Sequence, residues 1–266
     1  MAQAGKRCHQ NQDPSRRASG MVDRVETGVE GLDSILNGGI AEHASVLVSG
    51  NPGTGKSILS MQYIHHGVTE HDEKGIYLSF EENEADIRAA AESIGLEGWG
   101  DRVDEGDIVV YDKRDLLSEE DFSSTIDRIL EYVANDAYSR LVMDSLTMFE
   151  MFFESERDRR TYLLRFIDIL KEHGQTALLI NEQGAIFPET EVDLENFLTD
   201  GNIYLAQIPT NADVNRYLWV AKMRKQDFDN EVFPMDIGQG GVSVHSDAAG
   251  FSLMEGSDPE DTPFGP

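Results

Sequence analysis

Compact apolar runs and amphipathic stretches alternate along most of this chain. Residues 45–49, 75–80, 107–111, 140–144 and 176–180 are short, largely apolar segments bounded by polar residues or glycine, the pattern of strands buried on both faces. Between them, apolar residues return at three- and four-residue spacing. Ile58, Met61, Ile64 and Val68 form one such stripe, and residues 85–94 predict a second helix. Phe122, Ile126, Ile129, Leu130 and Val133 form a third, opened by a capping box of Ser118 and Asp121. Tyr162, Leu163, Phe166, Ile167 and Leu170 form a fourth. This alternation predicts an α/β fold: a largely parallel twisted sheet with helices on both faces. Residues 202–207, 216–223 and 242–245 read as strands joined by turns, so the sheet is expected to end in C-terminal antiparallel hairpin strands. Residues 1–20 are polar, with Lys6, Arg7, Arg16 and Arg17, and read as a disordered leader. Residues 247–266 read as an acidic disordered tail, leaving one domain over 21–246.

One junction between strand and helix carries chemistry. Gly50-Asn51-Pro52-Gly53-Thr54-Gly55-Lys56-Ser57, with Ile58 in the following turn, fits the phosphate-binding spacing G-x-x-x-x-G-K-[ST]. Such a loop must fold back so that successive N–H groups point at one anion, and glycine tolerates that backbone. Lys56 is then expected against the β- and γ-phosphates, and the Ser57 hydroxyl on Mg²⁺. The helix that follows adds its positive end.

Further polar residues end the other runs. Leu141-Val142-Met143-Asp144 is expected to bring Asp144 to the Mg²⁺ shell, opposite Ser57. Glu81 and Glu82 follow the run 75–80, where a carboxylate could orient or deprotonate the attacking water. Lys222 and Arg224 share one face of an expected strand, and could meet the γ-phosphate of a nucleotide on a neighbouring subunit or be neutralised by local carboxylates. Asn181, Glu182 and Gln183 form a weaker group, in which an amide could sense the γ-phosphate. Arg157, Arg159 and Arg160 read as a solvated or subunit-facing surface. The seven histidines show no spacing typical of a structural metal site.

Charge narrows the setting. There are 22 basic and 50 acidic residues, a net charge of −28, and only 7 of the basic residues are lysine. A lysine-poor acidic surface stays hydrated in molar salt, where the Debye length falls to about 3 Å, and points to a halophilic cytoplasm. The same charge opposes nucleic-acid binding, which depends on basic patches. A single cysteine, Cys8, allows no internal disulfide. No run is long enough for a membrane span.

Thr27-Gly28, Leu32-Asp33, Leu36 and Gly38-Gly39 ahead of the phosphate loop resemble the entry signature of the KaiC-like branch of the RecA superfamily. Glu81-Glu82, Asp144-Ser145, Asp200-Gly201-Asn202-Ile203 and Lys222-Met223-Arg224 are similar to further motifs of that branch, and the resemblance spans about residues 25–246. It implies a RecA-like P-loop core and a homohexameric ring with ATP at subunit interfaces. It also implies Mg²⁺-dependent hydrolysis, with Lys222 and Arg224 acting in trans. Clock function and autophosphorylation are not implied: the chain has room for one such domain, and no segment matches the autophosphorylation sites. The expected activity is that of a regulatory ATPase with an unidentified protein partner. The alternatives are a nucleotide-gated adaptor with negligible hydrolysis and a DNA recombinase. Against the last stand Glu189, Glu191, Asp193 and Glu195, where DNA-binding loops are basic.

Overall fold

A computed structural model describes residues 22–116, 122–183, 194–209 and 213–248. The expected leader, the box Ser118/Asp121, the acidic residues Glu189, Glu191 and Asp193 and nearly all of the expected tail lie outside the described residues.

The chain enters through β1 (Arg24–Val25), α1 (Leu32–Ile35) and β2 (Ile40–Ala41), with β1 and β2 paired antiparallel. The entry signature has a local physical basis. Asp33 accepts from Thr27 N and Oγ1 (both 2.8 Å) and from Gly28 N (3.1 Å), folding the segment over α1.

The main body then follows as β3 (Ser45–Gly50), α2 (Lys56–Glu70), β4 (Gly75–Ser79), α3 (Glu84–Ser93), α4 (Trp99–Glu105), β5 (Ile108–Tyr111), α5 (Lys113–Leu116), α6 (Phe122–Val133), β6 (Arg140–Asp144), α7 (Leu146–Glu150), α8 (Glu156–Glu172), β7 (Thr176–Glu182), α9 (Leu194–Leu198), β8 (Gly201–Pro209), β9 (Val214–Met223), β10 (Val232–Gly238) and β11 (Gly241–Val244). The sheet order is β11-β10-β9-β8-β3-β7-β6-β4-β5. The six strands from β8 to β5 are mutually parallel, and β9, β10 and β11 continue antiparallel.

Both faces of the parallel strands are buried because their side chains alternate between two cores. Val46, Val48, Tyr77, Val142, Leu178 and Ile180 join the core under α1–α4. Leu47, Ile76, Leu78, Leu141, Met143 and Leu179 join the core under α6, α7 and α8. The alternation predicted from the apolar runs is therefore the one found. The apolar pattern gives no sign of β10, however, and the C-terminal end has three antiparallel strands beyond β8. Pro234 interrupts the β10 pattern, and proline within a run argues against a strand. Here it sits where the β11 ladder has run out, paired with Tyr217 of β9.

One buried cation ties β6 to the entry segment and to α2. Arg140 is 1% exposed, lies 4.6 Å over the Tyr63 ring, donates to the carbonyls of Glu26 and Tyr63 (2.8 Å each) and pairs with Glu73. Gly67 of α2 makes room for it, since a Cβ there would lie 2.1 Å from Arg140 Nε. Alanine would add about 1 kcal/mol of helix propensity, but displacing a buried guanidinium held at Nε and Nη1 costs more. Gly67→Ala is therefore expected to lower stability by about 3 kcal/mol, read as a lower midpoint in chemical denaturation in concentrated salt.

Candidate nucleotide-binding site

All six residues of β3 are buried at the centre of the sheet, and the chain leaves it at Gly50. A Cβ on Gly50 would lie 2.6 Å from Thr54 Oγ1 and 2.7 Å from the Leu205 carbonyl. Gly53 and Gly55 hold φ of +81° and +102°, the left-handed region that side chains avoid. Thr54 donates its hydroxyl to the Asn51 carbonyl (2.8 Å), closing the turn from inside. Gln207 of β8 braces the loop at the Gly53 carbonyl.

The helix that starts here shares an uncapped glycine start with α1 and α4, but those two carry an aspartate in the first turn. Asn83, Ser145 and Ser155 cap α3, α7 and α8 with side-chain acceptors. By contrast, α2 begins at Gly55 with no side-chain cap and no acidic residue in its first turn. Its positive end is left for another acceptor.

That end opens into a cavity of about 250 Å³ lined by Pro52, Gly53, Gly55, Lys56, Ser57, Ile58, Glu81, Asp144, Glu182 and Ile237. Lys56 is buried and folded back, donating to the carbonyls of Gly50 (2.9 Å) and Asn51 (3.0 Å). Burial pushes its pKa down, while the carboxylates of Glu182, Asp144 and Glu81 pull it back up. Asp144 ends β6 and accepts from Tyr77 Oη (2.8 Å) and from the Ser57 hydroxyl. Burial raises its pKa above the usual carboxylate range, with the Glu81 charge adding to the rise.

Glu81 lines the cavity and accepts from Ser145 Oγ at 3.1 Å, and Lys113 Nζ donates to its carbonyl at 2.9 Å. Glu82, exposed like Glu81, is not among the lining residues; partial burial and the charges of Asp144, Asp86 and Glu81 raise its pKa. The two adjacent glutamates thus occupy different environments.

In the group at the end of β7, Glu182 lines the cavity, while Asn181 accepts from the Thr147 hydroxyl at 2.9 Å. The sequence expectation there is an amide. The position after a buried parallel strand pointed to the group but not to the member. Ile237 carried no signal, because it belongs to the overlooked β10, and it now packs over Gly55, whose Cβ would lie 2.7 Å from its Cδ1.

Lys222 and Arg224 stand apart from this cavity. Register puts Lys222 beside Asn202 and Asn202 beside Leu47, whereas the loop leaves β3 beyond Gly50, opposite Leu205. The two cations meet the end of α9 instead. Lys222 Nζ donates to the carbonyls of Asn196 (2.8 Å) and Thr199 (2.5 Å). Arg224 donates to the Phe197 carbonyl (3.0 Å) and lies 3.7 Å from Asp200. Burial, then the neighbouring Arg224 charge, lowers the Lys222 pKa. Of the three arginines on α8, Arg157 and Arg160 are exposed, and Arg159 pairs with Glu150 at 3.4 Å and Glu195 at 3.7 Å.

A parallel sheet flanked by helices, with a glycine loop between its central strand and an uncapped helix, defines a RecA-like P-loop protein. The family model described as the KaiC ATPase matches residues 25–249, and the chain belongs to that family. The circadian clock oscillator protein KaiC of Prochlorococcus marinus subsp. pastoris is 31% identical over 230 residues, covering 84% of this chain and 45% of that protein. The KaiC of Synechococcus elongatus is 28% identical, covering 84% and 44%. The chain thus spans about half the length of the curated relatives it matches. A KaiC-like protein from the hyperthermophilic archaeon Pyrococcus horikoshii OT3 superposes with a TM-score of 0.73 at 31% identity, covering 84% of this chain and 99% of that one. Among the described residues, no helix is long and apolar enough to cross a membrane.

Proposed function

We propose that this chain binds ATP with Mg²⁺ in the P-loop cavity and hydrolyses it, as a ring-forming regulatory ATPase of a halophilic cytoplasm. The observation that carries this reading is the uncapped start of α2 opening onto one cavity with Lys56, Ser57, Asp144 and Glu81. The backbone from Gly50 through Asn51, Pro52, Gly53, Thr54 and Gly55 to Ile58 cradles the phosphates, and Lys56 exchanges its carbonyl partners for phosphate oxygens. The donor set fits Mg²⁺: Ser57 and Asp144 offer hard oxygens that already meet through the Ser57 hydroxyl. Bound there, the cation supplies charge neutralisation at the phosphate oxygens. Glu81, held at side chain and carbonyl, orients or deprotonates the water, with Glu82 outside the cavity.

Lys222 and Arg224 act on the nucleotide of the next subunit. Support for this comes from their register at the far end of the sheet from their own P-loop, and from the 50% exposure of the Arg224 side chain. Six subunits and a protein partner that reads the nucleotide state follow from the family resemblance. The net charge of −28 supports the saline setting.

The test combines light-scattering mass, with and without ATP and Mg²⁺ in molar potassium chloride, with turnover of mixed subunits. Arg224→Ala and Lys56→Ala are each expected to be inactive alone. Mixed, they should regain part of the activity, because an intact arginine then faces an intact P-loop. A monomeric mass with ATP, or no recovery on mixing, would overturn action in trans.

A further inference from the structure

At the opposite end of α2 from the P-loop, three side chains from separate places in the sequence converge. His66 lies in the last turns of the helix, His71 directly follows it, and Glu26 follows β1. The Nε2 atoms of His66 and His71 are 3.2 Å apart, and Glu26 Oε2 lies 3.5 Å and 3.4 Å from them. We propose that this triangle is a divalent transition-metal site of the zinc class, with two imidazole nitrogens and one carboxylate oxygen as ligands and an outward corner left for water.

The distances carry the argument. Tetrahedral bonds of about 2.0–2.2 Å to nitrogen and oxygen place ligand atoms roughly 3.3–3.6 Å apart; both carboxylate edges match, and the imidazole edge of 3.2 Å is slightly shorter. An octahedral ion with bonds of about 2.1 Å would need edges near 3.0 Å. The carboxylate contacts are too long for N–H···O hydrogen bonds, which lie at about 2.7–3.2 Å. Two protonated imidazoles at this separation would repel, and a neutral pair holds one proton between them and leaves Glu26 outside normal hydrogen-bonding distance of both rings. A shared cation satisfies all three groups at once. Two imidazoles with one carboxylate favour Zn²⁺, Co²⁺, Ni²⁺ or Cu²⁺ over Mg²⁺ or Ca²⁺.

The scaffold holds the ligands. The Glu26 carbonyl accepts from buried Arg140 (2.8 Å), fixing the backbone beneath its side chain. Gly28, at φ +71°, lets the entry segment approach the helix, since a Cβ there would lie 2.3 Å from His66 Cβ. His71 N donates to the Gly67 carbonyl (3.2 Å), closing the helix end. Glu26 and His71 are exposed, so the fourth corner is open to solvent. Bound metal would tie the entry segment to the far end of the helix that begins at Lys56. The histidine spacing alone gave no sign of this, because the third ligand is forty residues upstream of His66.

The test uses the untagged full chain, stripped with chelator and kept in excess Mg²⁺ so that the oxygen ligands of the P-loop do not report. Zn²⁺ titration by calorimetry is expected to show one site per chain and a raised thermal midpoint. Bound Co²⁺ should give the intense visible bands of tetrahedral coordination, displaced by Zn²⁺ and not by Mg²⁺. His71→Ala and Glu26→Gln, both at exposed side chains, should each weaken Zn²⁺ by at least ~10-fold while far-UV circular dichroism stays unchanged. Absence of Zn²⁺ binding, or wild-type affinity in both variants, would overturn the proposal. ATP binding measured alongside reports on the P-loop separately.

Discussion

Lys56→Ala is expected to lose at least ~100-fold in affinity for ATP–Mg²⁺, read as loss of binding heat in concentrated salt. The magnitude follows from what the ammonium would touch. Hydrogen bonds to charged groups contribute about 1.5–3 kcal/mol each, and a P-loop lysine makes more than one to the β- and γ-phosphates. Two such contacts exceed the roughly 2.7 kcal/mol that a 100-fold change represents. Without nucleotide, Lys56 donates only to the carbonyls of Gly50 and Asn51. Both belong to a loop already closed by Thr54, so circular dichroism should show a folded variant. Retained binding heat would mean that the loop amides do not face the phosphates.

Glu81→Gln is expected to bind ATP as the wild type does and to hydrolyse it ~10²–10⁴-fold more slowly, the usual contribution of a positioned base. Glutamine keeps the shape and the contact with Ser145 Oγ but cannot take a proton. Glu82→Gln should change turnover by less than about tenfold, because Glu82 lies outside the cavity that Glu81 lines. The measurement is steady-state phosphate release alongside nucleotide affinity for both variants. Undiminished release by Glu81→Gln would sink the assignment of the base. Equal losses in the two variants would show that the pair acts as a unit.

Much of this was legible before any coordinates. The buried strands were readable because both faces of a parallel sheet are covered, which leaves continuous apolar runs such as Val46-Leu47-Val48. The P-loop was readable because its chemistry is local: glycine conformation, one lysine and one hydroxyl within a few residues. Other elements carry a weaker local signal. Trp99–Glu105 forms a short helix between Gly98 and Gly106 with little apolar periodicity, and β10 was hidden by Pro234. The pair Glu81 and Glu82 could not be separated in sequence, since adjacent identical side chains differ only in the environment the fold provides.

The sequence by itself determined the class of fold, the phosphate loop and the acidic residues that end the central strands, because each depends on neighbours close along the chain. Tertiary structure alone decided which carboxylates share a cavity with Lys56, which end of the sheet Lys222 and Arg224 occupy, and that Glu26 meets His66 and His71. Those are matters of strand order and register, and of how the antiparallel edge folds back so that Gln62 of α2 bonds to Gly240 and Val242. Contacts of this kind join residues far apart in the chain, and no local spacing encodes them.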